Sequence, residues 1–137
     1  LPKVYDYFQN LDEKENDIII GGDFNLSVRS EGFSNLLNHK DKIINCISPN
    51  MKTTIGTKGY ANQYDNIFIS EIYTKEFTGR SGGIDTANGN YKKTREVISD
   101  HIPVSASYSN GHSRTSDLLP ADIPDWPDDS GSDEIFR

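Results

Sequence analysis

Three short polar clusters pair an acid with residues able to act on a phosphate: Gly21-Gly22-Asp23-Phe24-Asn25, Gln63-Tyr64-Asp65-Asn66 and Ser99-Asp100-His101. A carboxylate at Asp23 can hold Mg²⁺ or polarise a water, and the neutral amide of Asn25 can donate a hydrogen bond to a phosphate oxygen. Alternate residues of an extended chain point the same way, so Asp23 and Asn25 can act on one side of a tight loop. The competing reading is a strand-to-loop turn in which Asp and Asn cap backbone amides. Asp65 opens a hydrophobic run, where an acid is costly to bury without a partner, so it faces either solvent or a partner. Asp100 and His101 are neighbours that point to opposite sides of an extended chain. They suit a metal ligand and a proton-transfer group side by side, or else an ordinary surface pair.

The elements that must position these residues follow from apolar spacing. Val4, Phe8 and Leu11 recur at helical intervals, which predicts a helix from Leu1 to about Leu11. Ile18, Ile19 and Ile20, closed by Gly21 and Gly22, predict a strand buried on both sides, with a loop beginning at Asp23. Phe33, Leu36 and Leu37 predict a short helix, and residues 43 to 47 a short strand before Pro49. Residues 64 to 69 predict another strand, and glycine-rich residues 79 to 90 a long loop. Ile102, Val104, Ala106 and Tyr108 alternate with polar or small residues, the period of a half-buried strand. Strands separated by loops and short helices make the expected class α+β, either α/β layers or a sandwich flanked by helices.

Composition narrows the class. With 137 residues the chain holds one core, and no run approaches the roughly 20 apolar residues of a membrane span. It begins at Leu1 rather than Met, so a longer parent chain is expected. Cys46 is the only cysteine, which excludes an intrachain disulfide and points to a small core residue. The formal charge of −7 would repel a polyanion, but residues 112 to 137 carry −5 of it, leaving −2 for residues 1 to 111. Three carboxylates of that remainder belong to the clusters above, where a dication would offset them. Residues 111 to 137 are acidic and broken by Pro120, Pro124, Pro127 and Gly131, so they are expected to be a disordered tail after a domain of residues 1 to 110. His39 and His112 are expected to be ordinary surface histidines.

Gly-Asp-Phe-Asn after an isoleucine run, then Tyr-Asp-Asn-Ile-Phe-Ile, then Ser-Asp-His-Ile-Pro-Val, in that order, resemble the C-terminal motifs of the deoxyribonuclease I-like endonuclease/exonuclease/phosphatase superfamily. The resemblance covers about Val4 to Tyr108. It implies the C-terminal half of a four-layer β-sandwich flanked by helices, and a divalent-metal-dependent hydrolase of phosphodiester bonds. It implies Asp23 and Asp100 as metal ligands, with Asp23 also orienting the attacking water. Asn25 would contact the scissile phosphate. His101 would move a proton there while Asp65 fixes its tautomer. Mg²⁺ is the expected metal, with Mn²⁺ or Ca²⁺ as alternatives. The tyrosine-led second motif is closer to the deoxyribonucleases than to the inositol phosphatases, so a nuclease, endo- or exonucleolytic, acting on DNA ahead of RNA, is expected. Thr53, Thr54 and Thr57 lie where family members touch the nucleic-acid backbone. Lys92, Lys93 and Arg95 are further phosphate-contact candidates, against a plain solvated basic face.

Family members also carry, in an N-terminal half of similar size, a metal-binding glutamate and a second histidine. Neither has a counterpart here: the residues before Gly21 hold no histidine, and their glutamates Glu13 and Glu15 lie in a polar turn. The missing N-terminal half is therefore an expected partner. The chain alone is expected to be inactive or nearly so and marginally folded, with apolar side chains exposed on one sheet face. Two other readings remain: a metal-dependent phosphatase or phospholipase of sphingomyelinase or phosphoinositide type, and a catalytically dead interaction protein that binds a partner through Trp126 and Phe136 of the tail.

Overall fold

A computed structural model describes residues 1–11 and 16–109. The expected acidic tail and His112 lie outside the described residues. The fold is mixed α+β. Helix α1 (Pro2–Gln9) leads into strand β1 (Ile19–Asp23), a 3₁₀ turn (Glu31–Phe33) that continues as α2 (Ser34–Leu37), and strands β2 (Ile43–Asn45) and β3 (Asp65–Ser70). Strand β4 (Phe77–Gly83), helix α3 (Tyr91–Val97) and strand β5 (Val104–Tyr108) complete it. No helix among the described residues is long and apolar enough to cross a membrane.

Among the described residues two antiparallel sheets form, one in the order β1-β3-β2 and one a ribbon of β4 and β5. Central β3 is built from β-branched and aromatic residues and buries Phe68 and Ile69 completely. Phe24, Phe33 and Phe68 meet at ring separations of 5.2 to 5.5 Å, and Leu36, Val28, Ile43 and Tyr5 close the core around them. A second, smaller cluster joins Ile55, Ala87 and Ile102, with Tyr60 and Tyr91 packed against it.

The short helix, the strand at 43 and the strands ending in Ser70 and Tyr108 stand where apolar spacing put them. The differences have physical causes. β1 is an edge strand rather than one buried on both sides, Ile19 is 52% exposed, and the strand runs through the glycines to Asp23. Helix α1 packs through Tyr5 alone, while Val4, Phe8 and Leu11 are half or more exposed. Part of the glycine-rich stretch is strand β4: Gly79, at φ 79°, sits within an irregularity in the pairing between Phe77 and Ser81. A Cβ at Gly83 would lie 2.6 Å from Ile102 Cδ1, so glycine there lets the ribbon close on the second cluster. Helix α3 has no apolar stripe in sequence. It buries only Thr94, and Lys92 and Lys93 ride on its exposed face.

Candidate active site

The register of β1 against β3 sets Asp23 directly opposite Asp65. Phe24 donates its N–H to the carbonyl of Tyr64 at 3.0 Å, so that pair is hydrogen-bonded. The next pair, Asp23 with Asp65, is then of the non-hydrogen-bonded kind, in which facing side chains lie nearest. Two like charges so placed repel each other unless something compensates them. His101 does so. Its Nδ1 lies 2.8 Å from Asp65 Oδ2 and its Nε2 lies 3.8 Å from Asp23 Oδ2.

His101 reaches this position because one segment holds both sides of the site. Thr54 and His101 form an isolated β-bridge, Ile102 N–H donates to the carbonyl of Thr53, and Ile55 N–H donates to that of Asp100. The backbone of His101 also donates to Ser99 Oγ at 3.0 Å. Thr53 Oγ1 accepts the amides of Tyr64 and Asp65, at 3.1 Å each, from the other side. Thr53 is thus fully buried and Thr54 nearly so, with the Thr54 hydroxyl accepting from Asn62 N–H. The expected contact of these two hydroxyls with a nucleic-acid backbone is replaced by an internal positioning role, and only Thr57 of the three stays exposed. The paired threonines before the second motif were the one sequence signal for this support.

Comparison with protein families, curated proteins and solved structures finds no match to the chain. The site therefore rests on its own chemistry. Asp23, Asp65 and His101 each offer one ligand atom within 4.8 Å of the others, and the group could hold a metal ion. Asp65 Oδ2 is engaged by the ring, which leaves its second oxygen, the remaining lone pairs of the two Asp23 oxygens, each of which accepts one hydrogen bond from Asn25, and His101 Nε2 as donors. That set suits a cation that keeps several waters and takes one or two protein carboxylates. Asp100, expected as a metal ligand, is not part of this group, whose three ligand atoms converge without it.

Asn25 sits at φ 50°, in the left-handed region that asparagine tolerates. Its N–H donates to Asp23 Oδ1 at 2.9 Å, and its Nδ2 lies 3.3 Å from Asp23 Oδ2. The turn reading and the site reading of this cluster thus hold together: the carboxylate caps the turn that brings Asn25 back beside it.

Burial works against a charged ring at His101, but the hydrogen bond to Asp65 and the charges of Asp65, Asp23 and Asp100 outweigh it and raise its pKa above the ordinary histidine value. With Nδ1–H committed to Asp65, Nε2 is the atom free to accept or deliver a proton.

Other expected contacts lie elsewhere. Arg95 donates Nη1 to the carbonyl of Ile55 at 2.7 Å, so part of its donor capacity serves the fold, while Lys92 and Lys93 face solvent. His39 is no surface histidine. Its side chain is 11% exposed, with Nε2 3.0 Å from Asp6 Oδ1, Nδ1 accepting from Asp41 N–H, and the ring edge-on to Tyr5. It ties α1 to the turn before β2. Cys46 is buried as expected, and burial pushes its thiol up to about 11.

Proposed function

We propose that this chain is the C-terminal portion of a deoxyribonuclease I-like, divalent-metal-dependent phosphodiesterase, an endonuclease acting on DNA. The observation that carries the reading is the convergence of three motifs far apart in sequence: Asp65 holds His101 Nδ1 at 2.8 Å, and Asp23 lies on the other side of the ring. A surface pair of Asp and His needs no such arrangement.

A phosphodiester is anionic and repels an incoming oxygen, so its hydrolysis needs positive charge on the non-bridging oxygens, a deprotonated nucleophile and a protonated leaving group. Mg²⁺ would be held by Asp23 and the second oxygen of Asp65, the carboxylates of the group that could hold a metal ion, whereas Asp100, which the resemblance assigns as a ligand, lies outside that group. When bound, the cation supplies the charge that phosphate oxygens require. His101 Nε2 moves the proton at the reacting phosphate, Asp65 keeps the ring in the tautomer and orientation for it, and Asn25 donates its side-chain amide to a phosphate oxygen.

A four-layer sandwich completed by an N-terminal half accounts for the apolar surface. Val4 and Phe8 of α1 and Ile18, Ile19 and Ile20 line an open groove of about 430 Å³ beside the edge strand β1. Soluble monomers seldom expose such a patch without a partner for it.

The test is nicking of supercoiled plasmid by the protein extended upstream to its complete domain. Nicking should require Mg²⁺, stop with EDTA and fall sharply in His101→Ala. Cleavage of sphingomyelin or a phosphoinositide with plasmid untouched would move the protein to the lipid-directed branch. Absence of cleavage on every substrate would sink the phosphodiesterase reading.

A further inference from the structure

We infer that a groove beside the site, with Arg29 and Lys52 as its cations, seats phosphates of a nucleic-acid strand flanking the scissile one. The inference deepens the phosphodiesterase reading and rests on it for the meaning of "scissile". The groove has a volume of about 420 Å³ and is lined by Ser27, Arg29, Asn50, Lys52, Asn62 and Gln63, among others, with no carboxylate among its lining residues. Residues 1 to 111, to which the groove belongs, carry a net charge of −2. Two cations with no carboxylate beside them make a surface at which polyanions collect.

The groove is also built. Arg29 Nη2 donates to Asn50 Oδ1 at 2.6 Å, which orients the guanidinium and leaves its other donors for a ligand. Gln63 Oε1 accepts from Val28 N–H at 3.0 Å, locking the loop after Asn25 to the segment before Asp65. Two of the three segments that line the groove therefore carry Asp23 and Asp65, and the third, with Asn50 and Lys52, leads into Thr53 and Thr54, so a strand seated there is held close to the site. Arg29 follows Asp23 by six positions (29 less 23), a reach of roughly 20 Å at most. At about 3.4 Å per nucleotide along one strand, that places the contacted phosphates within roughly six nucleotides of the metal-binding group. Lysine and arginine contacts of this kind position a backbone without reading sequence. Lys92, Lys93 and Arg95 of α3 are the rival basic surface.

The test is a two-dimensional amide NMR titration of the 137-residue chain, metal-free and at low salt, with a thymidylate dodecamer. Shifts should centre on Val28, Arg29, Lys52 and Asn62. The slope of log affinity against log salt should flatten by about 0.7 for each of Arg29→Gln and Lys52→Gln, the value per phosphate contact on a single strand. Lys92→Gln with Lys93→Gln should leave the slope unchanged. Shifts centred on α3, or an unaltered slope in the Arg29→Gln/Lys52→Gln double variant, would overturn the inference. So would shifts of equal size from inorganic phosphate at the same phosphate concentration, because the groove would then take a lone anion rather than a strand. No cleavage enters this experiment. If the strand titrates into the groove as described while the completed protein nicks nothing, the catalytic reading fails and strand binding stands.

Discussion

His101 and Asp65 form a hydrogen-bonded dyad, Nδ1 to Oδ2 at 2.8 Å, although 36 positions separate them in the chain. The pairing makes a sign-definite prediction. The folded state holds the His101 pKa above its ordinary value, so the dyad's contribution to stability is fully present below the unfolded pKa and is lost as pH rises through the folded one. A metal-free NMR titration of the imidazole should therefore give a midpoint above 6.5, the ordinary value. In Asp65→Asn the midpoint should fall, because burial, which opposes the charge, loses its main counterweight. An unchanged midpoint in that variant would show that the dyad does not govern the ring.

On the phosphodiesterase proposal, the same dyad fixes how two losses combine in the protein extended upstream. His101→Ala should lower turnover by about 10²-fold or more, the range that general acid-base catalysis contributes. Asp65→Asn acts through the ring, so the double variant should be scarcely slower than His101→Ala alone. Rates that multiply, with the double variant slower by the product of both single effects, would assign Asp65 an independent role.

Much of the candidate site was legible in the sequence because its residues fall in short motifs at strand tips. Asp23, Asp65 and His101 stood out as acids and an imidazole at strand ends, their joint roles came from the resemblance of the three motifs to a known family, and the structure brings them together. What escaped was whatever depends on the third dimension. Nothing local says that the Ile18–Ile20 run is an edge strand, since an isoleucine run reads alike whether one neighbour or two will pair with it. Thr53 and Thr54 read as solvent-facing hydroxyls because their backbone partners, Asp65 and Asn62, lie 12 and 8 positions away. Strand β4 was hidden by the glycines that let it bend. His39 looked ordinary because Asp6 and the packed face of Tyr5 come from a helix 33 and 34 positions upstream.

Thr53 offers a test of support as distinct from catalysis. It is fully buried, and its hydroxyl accepts two backbone amides. Thr53→Val keeps the shape and strands both donors, at a cost of about 1–3 kcal/mol for each buried group left unpaired. Urea denaturation should show a loss of about 2–6 kcal/mol in Thr53→Val, and Thr53→Ser should recover most of it. If valine costs nothing, the hydroxyl is not what holds Asp65 in place.

The metal-binding reading can be separated from catalysis by a paramagnetic probe. Asp23, Asp65 and His101 place their ligand atoms within 4.8 Å of one another, and Asp23 and His101 keep donors open to solvent. Substoichiometric Mn²⁺ added to the 137-residue chain should broaden the resonances of these residues and of Asn25, which is bonded to Asp23, before any others. Asp23→Asn removes the carboxylate on the open side of the ring while keeping its shape, so broadening at His101 should need several-fold more Mn²⁺. Mg²⁺ in excess should reverse the effect, since both are hard cations that prefer carboxylate and water oxygens. Broadening that begins elsewhere on the acidic surface and leaves His101 sharp would mean that the three residues form a hydrogen-bonded cluster and not a cation site.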